Sequence, residues 1–339
     1  MRITAAVVLG FLFLFPAVAS AASFDCTEAK APVELLICAD PVLSALDERM
    51  AEAYAARKAT ERDAQRAWLR ARLDACGIPA RGEALTPRGQ WAAAPCLVDQ
   101  YHQRLAALGA KVAAAAPVAD GPAVHPLCLP AGLALGDEQA PFTAEDLEAC
   151  QKGMRHIPVE RSEGGAWVAY GMDWGVPTYT AIESVGAMPD GRQAWLVNFN
   201  TGGTGVFSSI VAVGPKGVEP VVGGGDRCSG GIVGASLAED GWRVRFNATP
   251  ADLAHILGIS DLSDGGLPYC AVCCAGEIES RTPADGGEET VIAILPSGEA
   301  LQDDPTPAER CLAGAIGKDP LPAAEFPAAR KRFAACMGR

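Results

Sequence analysis

The stretch Ile37-Cys38-Ala39-Asp40-Pro41-Val42-Leu43-Ser44-Ala45-Leu46-Asp47 decides how the first quarter of the chain folds. Asp40 is a good N-cap, and Pro41 stands at the first helical position, where its missing N–H removes no hydrogen bond. Leu43, Leu46, Met50, Ala53 and Tyr54 then recur at helical spacing, with Asp47, Glu48, Glu52 and Arg57 on the opposite side. Working outward, a second helix is expected from Thr60, with Asp63 three residues on, through Ala64, Ala67, Trp68, Ala71 and Ala75 to Gly77. A third is expected from Cys96 to Leu108, carrying Leu97, Tyr101, Leu105 and Leu108 along one side. The Gly- and Pro-rich residues 77–95 between them read as a loop. Trp68, Tyr54 and Leu46 read as core residues.

Residues 110–126 form an Ala/Pro-rich linker, and the texture changes beyond it. A helix is expected over Thr143–Gly153. Strand-like runs follow at Ala166–Tyr170, Thr178–Val185, Ala194–Phe199, Val206–Val213, Trp242–Phe246 and Val291–Leu295, with turn signals such as Asp190-Gly191 and Lys216-Gly217 beside them. Thr249-Pro250 and Thr306-Pro307 open further helices, and a last one spans about Pro327–Met337. The expected architecture is α+β in two domains. A disulfide-stapled, all-helical module covers 23–109, and an antiparallel, β-rich domain with flanking helices covers 127–339.

The 339 residues carry 28 Lys+Arg against 41 Asp+Glu, a net charge of −13. A chain so acidic lacks the basic face that displaces phosphate counterions, which excludes a nucleic-acid binder and disfavours anionic lipid. The charge is unevenly divided: residues 24–110 hold 12 acids and 11 bases, whereas residues 111–339 hold 29 and 16. Arg2, the apolar run from Ala5 to Val18 and the small residues Ala19-Ser20-Ala21 form a signal peptide over residues 1–21. Cys26 follows Ser23-Phe24-Asp25, which is not a lipobox, so the expectation is an exported, soluble protein without a lipid anchor. Exported cysteines pair, and there are 12 of them.

The helical part carries a motif. Ser23-Phe24-Asp25-Cys26 leads to Pro32-Val33-Glu34, Leu36-Ile37-Cys38, Asp40-Pro41 and Leu46-Asp47. Gln65-Arg66-Ala67-Trp68-Leu69 follows with Arg72, then Cys76, Cys96-Leu97, Tyr101 and Arg104-Leu105. In cysteine spacing and in the Gln-Arg-x-Trp-Leu box, residues 23–108 resemble the N-terminal domain of the LprI-type lysozyme inhibitors. The resemblance implies an exported bacterial envelope protein that binds lysozyme, a cationic enzyme, without turnover or cofactor. The rival expectation is an envelope enzyme or metal-binding protein whose active part lies in the second domain.

Four cysteines allow three pairings. A hairpin of helices at 41–58 and 60–76 would bring Cys38 to Cys76 and leave Cys26 for Cys96. In the second domain Cys128–Cys150 and Cys311–Cys336 are the expected local bridges, and Cys228, Cys270, Cys273 and Cys274 make two more in open pairing. The C-x2-C-C cluster at 270–274 has the look of a zinc half-site, but export favours disulfides and no metal site is assigned. The glycine run Gly202-Gly203-Thr204-Gly205 precedes a strand, not a helix, and so does not cradle a phosphate. Asp261-x-Ser263-Asp264-Gly265 lacks the closing glutamate of a calcium loop, since Val272 stands there. His102, His125, His156 and His255 are scattered and read as surface or capping residues; no catalytic residue is assigned. Candidate binding residues are Arg81 and Arg88 in the helical-domain loop and Thr201 and Thr204 in the glycine-rich loop, where an arginine could pair with a carboxylate of the target.

Overall fold

The computed structural model describes residues 22–110, 121–130, 142–173, 176–238, 241–259, 267–283, 289–297 and 305–338. The expected signal peptide, most of the expected linker and the Asp261–Gly265 stretch lie outside the described residues.

The helical module is built of α1 (Pro32–Ala39), α2 (Pro41–Ala55), α3 (Lys58–Ala75) and α4 (Pro87–Ala107). Asp40 caps α2 as its position demands, its carboxylate accepting the Val42 and Leu43 amides at 2.9 and 3.0 Å. Leu43, Leu46, Met50, Leu97, Tyr101 and Leu105 close the core, with Tyr54 and Trp68 packed against it. The expected loop over 77–95 is shorter than its composition suggested. Thr86 accepts the Gly89 amide at 3.2 Å, Pro87 takes the first position, and α4 runs straight through Pro95. Burial of Trp91, Ala93 and Ala94 outweighs the weak helix preference of Gly89 and Pro95.

That longer α4 also corrects the disulfides. The bonds are Cys26–Cys38 and Cys76–Cys96, not Cys26–Cys96 and Cys38–Cys76. Cys38 ends a helix of its own, α1, back along which the N-terminal arm folds. Cys96 sits mid-helix in α4, beside the last turn of α3 where Cys76 lies.

The second part is antiparallel throughout. Strands β1 (Val159–Arg161), β2 (Trp167–Asp173), β3 (Val176–Ala187), β4 (Gln193–Asn200), β5 (Phe207–Gly214) and β6 (Gly217–Asp226) form a six-stranded meander. A five-stranded sheet follows, from β7 (Ile232–Ala238), β8 (Gly241–Ala248), β9 (Gly276–Thr282), β10 (Thr290–Pro296) and β11 (Leu321–Pro322), in the order β11-β10-β9-β8-β7. Helices α5 (Ala144–Met154), α6 (Pro250–Ile256), α7 (Pro307–Ile316) and α8 (Phe326–Cys336) accompany them. Thr143, Thr249 and Thr306 close capping boxes with Asp146, Asp252 and Glu309. Ala194–Val197 of β4 are buried without alternation because both faces of the first sheet are covered. Trp195, Val197 and Val211 pack against Trp91, Phe142 and Leu147, while Leu196, Ile210 and Val222 meet Trp242 and Val244 of the second sheet. Arg243 and Arg245, between those inward residues, are exposed.

Candidate protein-binding surface

A surface that grips a partner must be rigid and free, and the structure sorts the module's faces by both criteria. Rigidity comes from a buried polar chain. Tyr101 donates to Asp47 at 2.5 Å and accepts from Arg72 at 2.6 Å, while the Ser23 amide and hydroxyl donate to the other Asp47 oxygen at 3.1 and 2.5 Å. Arg72 lies 4.8 Å from the Trp68 ring of its own helix and 5.3 Å from the Tyr101 ring of α4, so one cation is held between an aromatic face of each helix. Arg104 adds bonds to Gln65 at 2.8 Å and Glu61 at 3.0 Å. The sequence placed Trp68 in the core; it gave no sign that Asp47, Arg72 and Tyr101 are joined.

The second part covers other faces of the module. Trp91 of α4 meets Phe142 edge to face at 5.9 Å, and Arg88 pairs with Asp146 at 2.5 Å. Arg88 therefore stands in the first turn of α4 with its charge already engaged. Burial opposes ionisation of Asp146, but the Arg88 and Thr143 hydrogen bonds prevail and hold its carboxyl below the ordinary value. His156 corrects the surface reading of the histidines: its Nε2 meets Asp40 at 2.6 Å, with both side chains under a tenth exposed. Burial pushes His125 down, and the carbonyl of Ile157 faces its Nε2 at 3.3 Å. A cavity of about 180 Å3 remains at this contact, lined by Asp40, Gln90, Leu127 and Ile157 among others.

The remaining candidates are free but apart. Arg81 is exposed in the loop before α4, and Thr201 and Thr204 are exposed in the loop between β4 and β5. Asn200 clasps that second loop, donating to the Gly203 and Gly205 carbonyls and accepting the Gly202 amide. No hydrogen bond or ion pair among the described residues links it to the Arg81 loop.

The cysteine cluster is fully paired. Cys228–Cys274 and Cys270–Cys273 accompany Cys128–Cys150 and Cys311–Cys336, and no cysteine is free. Among the described residues there is no group of three or more His, Cys, Asp or Glu side chains arranged to hold a metal. Nor is any described helix long and apolar enough to cross a membrane. One further cavity, of about 450 Å3, lies in the second part between Gly223–Gly225, Phe246, Ile278, Asp252 and His255.

No curated protein and no solved structure matches the chain. Over residues 25–108, about a quarter of its length, the chain matches the family described as Lysozyme inhibitor LprI, and the match coincides with the disulfide-stapled helical module.

Proposed function

We propose that this is an exported bacterial envelope protein that binds lysozyme stoichiometrically and inhibits it. The observation that carries the reading is the family match over 25–108, which falls on the helical module with its own core and both of its disulfides. Export is supported by the leader-like residues 1–21 and by the pairing of all twelve cysteines. Titrating the purified chain into lysozyme acting on bacterial cell walls should abolish lysis at a fixed molar ratio. Undiminished lysis at large molar excess would overturn the reading.

A second reading, an envelope enzyme or ligand-binding protein acting through the second part, is favoured by the cavity of about 450 Å3, whose lining mixes Phe246 and Ile278 with Asn247, Asp252, His255 and Glu289. On that reading lysozyme stays active, and the second part carries the function.

A further inference from the structure

We infer that the outer face of α3 is the surface that engages the target, with Arg62, Arg66 and Arg70 offered to carboxylates in the substrate cleft of the glycosidase. The inference rests on the lysozyme-binding reading and narrows it to one helix.

Asp40 at the start of α2 is tied to His156, the first turn of α4 to Asp146, and Trp91 to Phe142, and α1 and α2 both pack against β2. The second part thus covers these faces. By contrast α3 buries only Gln65 and Arg72 among its 18 residues.

Lys58, Arg62, Arg66 and Arg70 follow one another at four-residue steps, and all are exposed. At 100° per residue they fall within a sector of about 120°. None of them joins an ion pair among the described residues. Leu69, 41% exposed, lies inside the sector and adds apolar contact. Of the acids on α3, Glu61 is held by Arg104, and Asp63 and Asp74 stand at the margin. In a chain of net charge −13, these four cations on one helical face have no ion-pair partner among the described residues.

Glycoside hydrolysis places two carboxyl groups in the cleft, and the planar guanidinium fork pairs with carboxylate in two parallel hydrogen bonds. The face is also pre-organised: Arg72 and Trp68 both contact Tyr101 of α4 beneath it, and Cys76–Cys96 pins the end of α3 to α4. Rigid presentation spares the entropy that flexible side-chain platforms lose on binding.

The test is the triple reversal Arg62→Glu, Arg66→Glu, Arg70→Glu in the full chain, compared with Arg→Lys at the same positions and with Tyr269→Ser plus Val272→Ser on an exposed loop of the second part. All three Arg side chains are solvent-exposed and outside the buried polar chain, so the circular-dichroism spectrum and thermal midpoint should match wild type. Inhibition should weaken by roughly 100-fold or more in the glutamate variant. It should weaken partially with lysine and not at all in the loop variant, and a substrate-like oligosaccharide filling the lysozyme cleft should compete with the wild-type chain. Wild-type potency in the glutamate variant overturns the assignment to α3 alone, as does full potency with the cleft occupied. Selective loss in the loop variant also overturns it, as does binding to anionic phosphatidylglycerol vesicles that the reversal abolishes while inhibition stands. If the wild-type chain itself leaves lysozyme active, the parent reading falls, and this inference with it.

Discussion

Tyr101 illustrates what a single side chain decides in this molecule. It is fully buried, 54 residues from Asp47 and 29 from Arg72 in the sequence, yet it bonds to both. Burial pushes its hydroxyl up, the Arg72 guanidinium opposes this and Asp47 reinforces it, so the phenol keeps its proton and serves as donor to the carboxylate. Replacing it with phenylalanine preserves the ring contact with Trp68, 5.3 Å away and edge-on, but withdraws a partner from two buried charged groups at once. Tyr101→Phe should therefore destabilise the protein by about 1–3 kcal/mol. Urea unfolding reads this as a lower midpoint at unchanged slope, and an unchanged midpoint would show the hydrogen-bonded chain to be structurally idle. The helical spacing of Leu43, Leu46, Leu97 and Leu105 made the core legible, because burial follows periodicity. The polar chain was not legible: a hydrogen bond between residues tens of positions apart leaves no trace in spacing.

At the scale of elements, the strong local signals were those with a capping residue attached. Thr249-Pro250 and Thr306-Pro307 open helices in the structure, and so does Thr86-Pro87, which the surrounding Gly82, Gly89 and Pro95 disguised as loop. The pairing of Cys76 with Cys96 follows from that one element. β6 escaped notice for a related reason. It holds Pro220 and three successive glycines, residue types that disfavour strands, but it is an edge strand, where a proline with no N–H to donate breaks no ladder. The packing of α4 on α5 turns on a glycine that sequence alone leaves unexplained. A Cβ at Gly153 would stand 2.6 Å from the Cα, Cβ and carbonyl oxygen of Trp91. Alanine inside a helix normally gains up to about 1 kcal/mol over glycine. Here the clash with backbone, which cannot swing aside, reverses the sign. Gly153→Ala should lose about 1–3 kcal/mol and make the two parts easier to separate by protease. A rise in thermal midpoint would show that α4 and α5 do not touch at this point.

On the lysozyme-binding reading, a chain of net charge −13 must present a nearly neutral module to a cationic enzyme. The linker composition suggested two independent parts, but Arg88–Asp146, Asp40–His156 and Trp91–Phe142 hold them together, so the acidity of residues 111–339 travels with the module. Charge at such distances acts on the encounter more than on the bound state, because it draws an oppositely charged partner in before any contact forms. Screening shortens that reach from about 30 Å at 0.01 M salt to about 10 Å at 0.1 M. The association rate with lysozyme should therefore fall by roughly tenfold across that range, with a smaller change in dissociation. On the same reading the α3 face works in the opposite sense: its arginines oppose the long-range attraction and act at contact. Reversal of Arg62, Arg66 and Arg70 should thus leave association at least as fast as in wild type and speed dissociation. Surface plasmon resonance at several salt concentrations separates the two. If association proves indifferent to salt, the acidic part contributes solubility and not capture, and affinity rests on the module's own contacts.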